Sequence, residues 1–371
     1  MSAASKAPRI PALDRFGGAL TAHFAPAMRR LGDLESRVLG RTQTQIRIDR
    51  PVYVCGLARA GSTLLLESLA AAPQFTTHRY ADFPFVWTPY WWNALRAQLR
   101  LPQSGPGERA HQDRVRVTFE SPEAFEEIFW MHFFRGRHEV DVDQVLGADD
   151  VNPAFDTFYT AHIRKLLAVR SASRYLAKGN YNLARIGYLL RLFPEARFVI
   201  AVREPLSHVA SLVRQDRLFC AWSEQSPAVG LQLARSGHFE FGPHKRPLNL
   251  GDAAAARAIS DCFAAGRMAE GYARQWAASY GWLSARLGEN PAWRRACHLV
   301  RYDTLCRAPG STLAAVYAHA GVGTGEGESL AGARSAEISA SDYYAPPLTP
   351  GENEKVARIA NNLWQLVCSL S

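Results

Sequence analysis

The chain has 371 residues, 47% of them hydrophobic and 21% charged, which is ordinary globular composition with ample length for a large core. Its net charge of +9 favours anionic ligands or surfaces, but arginine is scattered along the whole length and no zinc-finger, RNP or basic-zipper pattern is present, which argues against a nucleic-acid module. The six cysteines show no CxxC pair and no histidine at metal spacing, so they read as buried free thiols with no metal site; without an apolar leader or 18 consecutive apolar residues, the expectation is a soluble, cytoplasmic protein with no membrane span.

Residues 1–14 are small and proline-bearing. Residues 15–40 place Phe16, Leu20, Phe24, Met28, Leu31, Leu34 and Leu39 at roughly helical spacing. One or two amphipathic helices packed on the domain edge are expected there rather than a membrane anchor, because the polar face also carries Asp33 and Glu35.

The stretch 51–72 organises the rest. An apolar run of Val52, Tyr53, Val54 and Cys55 enters a turn bounded by Gly56 and Gly61, and Leu64, Leu65, Leu66 and Leu69 continue as a helix. A glycine loop entering a helix aims several N–H groups and the positive end of the helix dipole at one spot, which suits a phosphate. The glycine spacing is that of a nucleotide-binding P-loop, but Ser62 and Thr63 follow where that loop requires Lys and then Ser or Thr. The loop can therefore hold a phosphate-like group while lacking the lysine used in γ-phosphate transfer. The structural alternative is a glycine turn between a buried strand and a helix.

Two aromatic clusters follow, at 74–92 and 125–134, with a loop at 102–107 between them. Ser121, Pro122 and Glu123 form a credible helix start. Aromatics this dense build either core or an apolar acceptor pocket over the loop. A helix is expected over 159–170, a short strand over 174–178 and a helix over 183–193 ending at Pro194. The continuous apolar run 197–202 is the kind of strand buried on both faces of a parallel sheet, and a helix over 206–213 follows it. Strand, helix, strand, helix implies right-handed βαβ units and an α/β fold with a doubly wound parallel sheet flanked by helices, binding ligands at the carboxyl ends of its strands. Residues 215–252 show no clear period; this stretch, with His238, His244, Lys245 and Arg246, reads as a lid or acceptor loop. A long alanine-rich helical region over 252–287, a strand over 298–302, a helix over 312–320, a loop over 335–350 and a final helix complete the chain.

The run Ala58, Arg59, Ala60, Gly61, Ser62, Thr63 resembles the 5′-phosphosulfate loop of sulfotransferases that use 3′-phosphoadenosine 5′-phosphosulfate (PAPS), where a basic residue precedes Ser-Gly-Thr-Thr; Ala60 and Ser62 depart from that pattern. Residues 193–205, with Arg203 at the strand end and Ser211 eight positions on, are similar to the 3′-phosphate segment of the same family. Leu299, Val300, Arg301 and Tyr302 resemble the late strand whose tyrosine lies by the adenine. Lys178 falls where relatives closest to tyrosylprotein, carbohydrate-type and bacterial sulfotransferases carry a lysine, although Gly179 and Asn180 differ.

The resemblance implies a P-loop NTPase-like sulfotransferase fold over residues 46–371, with acceptor or lid insertions around 80–150 and 215–252, after an N-terminal helical extension over 1–45. It implies PAPS as sulfuryl donor, 3′,5′-ADP (PAP) as product, no metal, and a small-molecule, carbohydrate or peptidyl acceptor; a homodimer is a further expectation. Arg59, Ala60, Gly61, Ser62 and Thr63 would hold the phosphosulfate, Arg203 and Ser211 the 3′-phosphate and Tyr302 the adenosine, with Arg59 and Lys178 also acting in catalysis. For the base that takes the acceptor proton, Asp82 precedes an apolar Phe83-Pro84-Phe85 run that would raise its pKa. An imidazole ordinarily titrates near neutrality, which makes His78 the second candidate, and His132 is a third. A small-molecule kinase and a non-catalytic nucleotide-binding scaffold remain the rival functions.

Overall fold

The computed structural model describes residue 7 and residues 24–99, 107–108, 116–338 and 348–370. Helix α1 (Ala25–Thr44), broken at Gly40, leads to strand β1 (Val52–Cys55), and α2 (Ser62–Ala70) leads to β2 (Phe75–Thr76). After α3 (Pro89–Leu99) come a short antiparallel ribbon of β3 (Gly107–Glu108) and β4 (Arg116–Val117) and then α4 (Glu127–Phe133). Helix α5 (Pro153–Arg170) starts where the Asn152 side chain accepts a hydrogen bond from the Phe155 amide, and delivers β5 (Arg174–Lys178); α6 (Ile186–Leu192) delivers β6 (Arg197–Val202). Helices α7 (Pro205–Gln225), α8 (Pro227–Arg235), α9 (Ala253–Ala264), α10 (Met268–Glu289) and α11 (Pro291–Ala296) precede β7 (Cys297–Arg301). The last described helices are α12 (Tyr302–Arg307), α13 (Pro309–His319), α14 (Thr324–Ser335) and α15 (Pro350–Leu370).

The five long-range strands form one parallel sheet in the order β2-β5-β1-β6-β7. The chain runs from β1 outward to β2, returns to insert β5 beside β1, and then adds β6 and β7 on the other side. The order therefore reverses at β1, and the carboxyl ends of β5, β1 and β6 open onto one crevice.

Alternation along the strands feeds two cores. Tyr53, Cys55, Phe198, Ile200 and Val202 pack on one face with Ile163 and Leu166 of α5, whereas Val52, Val54, Val199 and Ala201 pack on the other with Leu65, Leu66 and Leu69 of α2 and Val316 of α13. Burial on both faces is why the 197–202 run is apolar throughout. Each fully buried aliphatic side chain contributes about 1.5–3 kcal/mol. A third cluster joins Val209, Leu212 and Trp222 of α7 to Tyr272 and Ala273 of α10 and Val356 of α15. Helix α1 is tied to α5 through Glu35, which is buried against Lys165 at 2.9 Å and accepts from the Trp91 amide at 2.6 Å, so Glu35 lies on the packed face and not the solvated one.

One open alternative is decided and two sequence expectations change. Trp87, Phe129 and Trp130 are at most 1% exposed, which assigns the centre of both aromatic clusters to the core. Ser121 and Pro122 do not start a helix: Ser121 Oγ accepts from the Thr118 amide at 3.0 Å in a turn, Pro122 bridges to Arg79, and the helix begins at Glu127. Residues 215–235 are helical, with a break at Ser226 that Pro227 restarts as a new first turn, so only 236–252 of the aperiodic stretch is irregular. The six cysteines form no disulfide; Cys55 and Cys262 are buried as expected, whereas Cys220, Cys297, Cys306 and Cys368 are half-buried. Residues 339–347 of the expected late loop, 102–106 of the inter-aromatic loop and 8–23 of the N-terminal stretch lie outside the described residues.

Candidate active site

The loop between β1 and α2 is shaped by its glycines. A Cβ on Gly56 (φ +127°) would lie 2.4 Å from the Ala201 carbonyl oxygen, and one on Gly61 (φ +100°) would lie 2.6 Å from Tyr302 Cδ2. Arg59 adopts φ 72° without being glycine, a backbone conformation that persists only where surrounding contacts hold it. Those contacts come from later elements. His208 Nε2 donates to the Ala58 carbonyl at 2.8 Å, and Tyr280 O–H donates to Ala201 O at 2.9 Å while accepting from the Leu57 amide at 3.3 Å. Burial, aided by the charges of Arg203 and Arg59, pushes the His208 pKa down to about 3 against the raising effect of the Ala58 bond, so the ring is neutral. No side chain caps α2, whose first turn faces the loop.

The residues assigned to the two phosphates come together here. Arg59 Nε donates to Ser211 Oγ at 3.4 Å, and Arg203 Nη1 donates to the Arg59 carbonyl at 3.4 Å. The Arg203 guanidinium lies 4.8 Å from the Tyr302 ring centre, and Trp276 Nε1 donates to the Arg203 carbonyl at 3.2 Å. Glu204, beside Arg203 in sequence, caps α7 by accepting from the Leu206 and Ser207 amides at 3.0 and 2.8 Å. Ala60 and Ser62 are buried in the loop wall, and Thr63 sits in the first turn of α2. Lys178 ends β5 directly opposite Val54, and the Gly179 amide donates to the Val54 carbonyl at 3.0 Å, which sets the lysine beside the loop's entry strand.

Asp82 and His78 occupy a different setting, at 0% and 1% exposure. Asp82 Oδ1 accepts from Arg170 Nη2 at 2.6 Å and Asn93 Nδ2 at 3.0 Å; Oδ2 accepts from the Arg79 amide at 2.9 Å and faces His78 Nδ1 at 3.2 Å. His78 Nε2 in turn meets His162 Nε2 at 3.0 Å. Burial opposes ionisation of Asp82, but His78, Arg170 and Asn93 outweigh it and hold the carboxyl well below the usual carboxylate range. The expected upward shift is thus reversed, because hydrogen-bonding and charged partners brought in by the fold, Arg170 and Asn93 among them, outweigh the burial. His132 packs edge-on against Trp87 at 5.3 Å, and its pKa is lowered, chiefly by burial.

A second polar cluster lies at the carboxyl end of β5. Asn180 Nδ2 donates to Glu240 Oε1 at 2.6 Å, and His238 Nδ1 lies 3.4 Å from Glu240 Oε2. Burial works against the charge on His238, yet Glu240 and Glu123 raise its pKa overall despite Lys178 nearby, which brings Lys178 into the same neighbourhood. Nothing in the sequence singled out Glu240, His208 or Tyr280, since each acts on a residue far away in the chain. Among the described residues there is no cluster of three or more His, Cys, Asp or Glu able to hold a metal ion, and no helix long and apolar enough to cross a membrane.

A family model described as the sulfotransferase family matches residues 51–235, the span holding the loop, Lys178, Arg203 and Ser211. The chain belongs to the sulfotransferase family. Among solved structures, sulfotransferase STF9 from Mycobacterium avium shares 15% identity with a TM-score of 0.51, over 88% of this chain and 79% of that one. Sulfotransferase STF1 from Mycobacterium tuberculosis H37Rv gives 16% identity and a TM-score of 0.47 over 92% and 85% of the two chains. A sulfotransferase from Alicyclobacillus acidocaldarius gives 14% and 0.41 over 87% and 96%. The first of these shows a shared sulfotransferase fold, the P-loop-like α/β architecture expected from the alternating elements. A comparison with curated proteins returned no match.

Proposed function

We propose that this sulfotransferase takes its sulfuryl group from PAPS and passes it to an acceptor hydroxyl or amine. The observation that carries the reading is the contact between Arg59 Nε and Ser211 Oγ, because it joins the loop suited to the 5′-phosphosulfate to the segment suited to the 3′-phosphate. Two arginines, an uncapped helix start and a tyrosine ring at one crevice fit a nucleotide that carries phosphates at two places. In this reading Arg59, Ala60, Gly61, Ser62 and Thr63 hold the phosphosulfate, Arg203 and Ser211 the 3′-phosphate, and Tyr302 the adenosine. Arg59 and Lys178 supply positive charge where the bridging oxygen gains electrons as the phosphate departs. Asp82 and His78 serve as buried structural support, since the four hydrogen-bonding positions of the Asp82 carboxylate are already taken.

The discriminating measurement is thermal unfolding with nucleotides. A ligand that binds only the folded state raises the melting temperature, so 3′,5′-ADP is expected to protect the protein while ATP with Mg²⁺ does not. Protection by ATP with Mg²⁺ alone would point to a kinase. Tight binding of labelled PAPS without transfer to any member of a broad acceptor panel would point to a scaffold.

A further inference from the structure

Between the glycine loop, the end of β5 and the 236–250 segment lies a cavity walled by Leu57, Leu212, Leu248, Phe263 and Tyr272. Leu57 and Ala58 lead directly into Arg59, Leu212 follows Ser211, and Asn180 lies two positions past Lys178, so the cavity opens beside the anion-holding residues. Its polar lining is sparse and mostly committed. Gln275 accepts from the Leu248 amide at 2.8 Å and donates to Ser279 Oγ at 2.9 Å, and Arg246 donates to Glu139 Oε1 at 2.8 Å. Two atoms make no hydrogen bond among the described residues: Asn180 Oδ1, and Glu240 Oε2, which His238 Nδ1 approaches only to 3.4 Å.

Both of those atoms are acceptors. Leaving a buried acceptor unsatisfied costs about 1–3 kcal/mol, so a cavity lined by these two residues, with mostly apolar walls and its other polar groups engaged, suits a ligand that brings a donor on an apolar body. A sugar would carry several hydroxyls to walls whose other polar groups already serve the fold.

We propose that this cavity is the acceptor site, that it takes a neutral hydroxyl on an apolar body such as a phenol or an alicyclic alcohol, and that Glu240 receives the hydroxyl proton. The proposal rests on the PAPS reading above. The acceptor oxygen bonds to sulfur as the bond from sulfur to the bridging phosphate oxygen breaks; that bond's electron pair leaves on the 5′-phosphate of 3′,5′-ADP, and the proton ends on Glu240 Oε2. His238, 3.4 Å from the same oxygen and 29% exposed, is a positioning residue. Burial opposes ionisation of Glu240, but His238 and Asn180 outweigh it and hold the carboxyl below its ordinary range, so it is a carboxylate at neutral pH.

The test uses the full chain, with 2-naphthol as the probe and 3′,5′-ADP binding measured on the same samples. The wild type is expected to bind 2-naphthol by calorimetry and to sulfonate it from labelled PAPS, with glucose and cyclohexylamine inert. Glu240→Gln is expected to lose turnover about 100-fold while binding 3′,5′-ADP within about twofold of wild type, and Glu240→Asp to recover part of the loss. Retained 3′,5′-ADP binding shows that the variant is folded. If 3′,5′-ADP binds but 2-naphthol does not, if glucose or the amine is the substrate, or if Glu240→Gln keeps wild-type turnover, the acceptor-site proposal is overturned alone. Failure of the wild type to bind 3′,5′-ADP overturns the donor reading, and the acceptor site with it.

Discussion

Gly61 and Tyr302 are packed so closely that a methyl group on the glycine would meet the tyrosine ring, with Cβ 2.6 Å from Cδ2. Gly61 ends the loop after β1 and Tyr302 opens α12, and their contact closes one side of the crevice. Gly61→Ala adds that clash to a φ of +100°, a strain of about 1–3 kcal/mol. It is expected to lower the melting temperature and to weaken 3′,5′-ADP binding about tenfold or more. In a Tyr302→Ala background the same substitution should cost less, because the clash partner is gone. Additive losses in the double variant would show that the contact is unimportant.

Arg203 stacks on Tyr302 and bonds to the Arg59 carbonyl, yet its proposed work is on the 3′-phosphate. Arg203→Ala should reduce affinity for 3′,5′-ADP by about 2 kcal/mol, the usual size of a charge-assisted contact. Affinity for 5′-AMP, which lacks that phosphate, should change little. Equal losses for the two nucleotides, measured by calorimetry, would assign Arg203 to the fold.

Lys178 and Asp82 should fail in different ways. Lys178→Ala is expected to cut turnover about 100-fold with 3′,5′-ADP binding nearly intact, as fits a cation acting on the leaving group. Asp82→Asn leaves Arg170 buried beside a neutral partner and is expected to cost about 3–5 kcal/mol of stability, seen in urea unfolding. The depressed pKa of Asp82 sets the sign of its pH dependence: its contribution is present above the carboxylate's unfolded value near pH 4 and is lost as pH falls further. A stable Asp82→Asn protein with no turnover would return Asp82 to the role of base.

His208 gives a second pH signature. Its folded pKa of about 3 lies below the unfolded imidazole value of about 6.5, so between these values the unfolded chain binds a proton that the folded chain refuses. Stability therefore rises with pH through this window, by about 1.4 kcal/mol per pH unit for the one group, and is lost as pH falls toward the folded value. Urea unfolding at several pH values should show that share of the slope missing in His208→Gln. An unchanged slope would mean that the His208 ring is hydrated and not locked under Ala58.

The sequence by itself determined the strand, glycine loop and helix at 51–72, the two-faced strand at 197–202 and the placement of Arg203 and Ser211 after it. These are legible because periodicity, glycine placement and strand-end position are local properties of the chain. It also identified most of the residues that meet at the crevice, since each sits at the carboxyl end of a strand or in the loop or helix that follows it. Whether a side chain is core, support or site was decided only by tertiary structure. Asp82 looked like a carboxyl in apolar surroundings until Arg170, 88 positions away, proved to be its partner. Glu240 had no signal at all, because its meaning comes from Asn180, 60 positions earlier, and from a buried oxygen that makes no hydrogen bond and lies 3.4 Å from His238. Burial and charge pairing are long-range quantities, set by which segments the sheet order brings side by side, as it does β5 and β1.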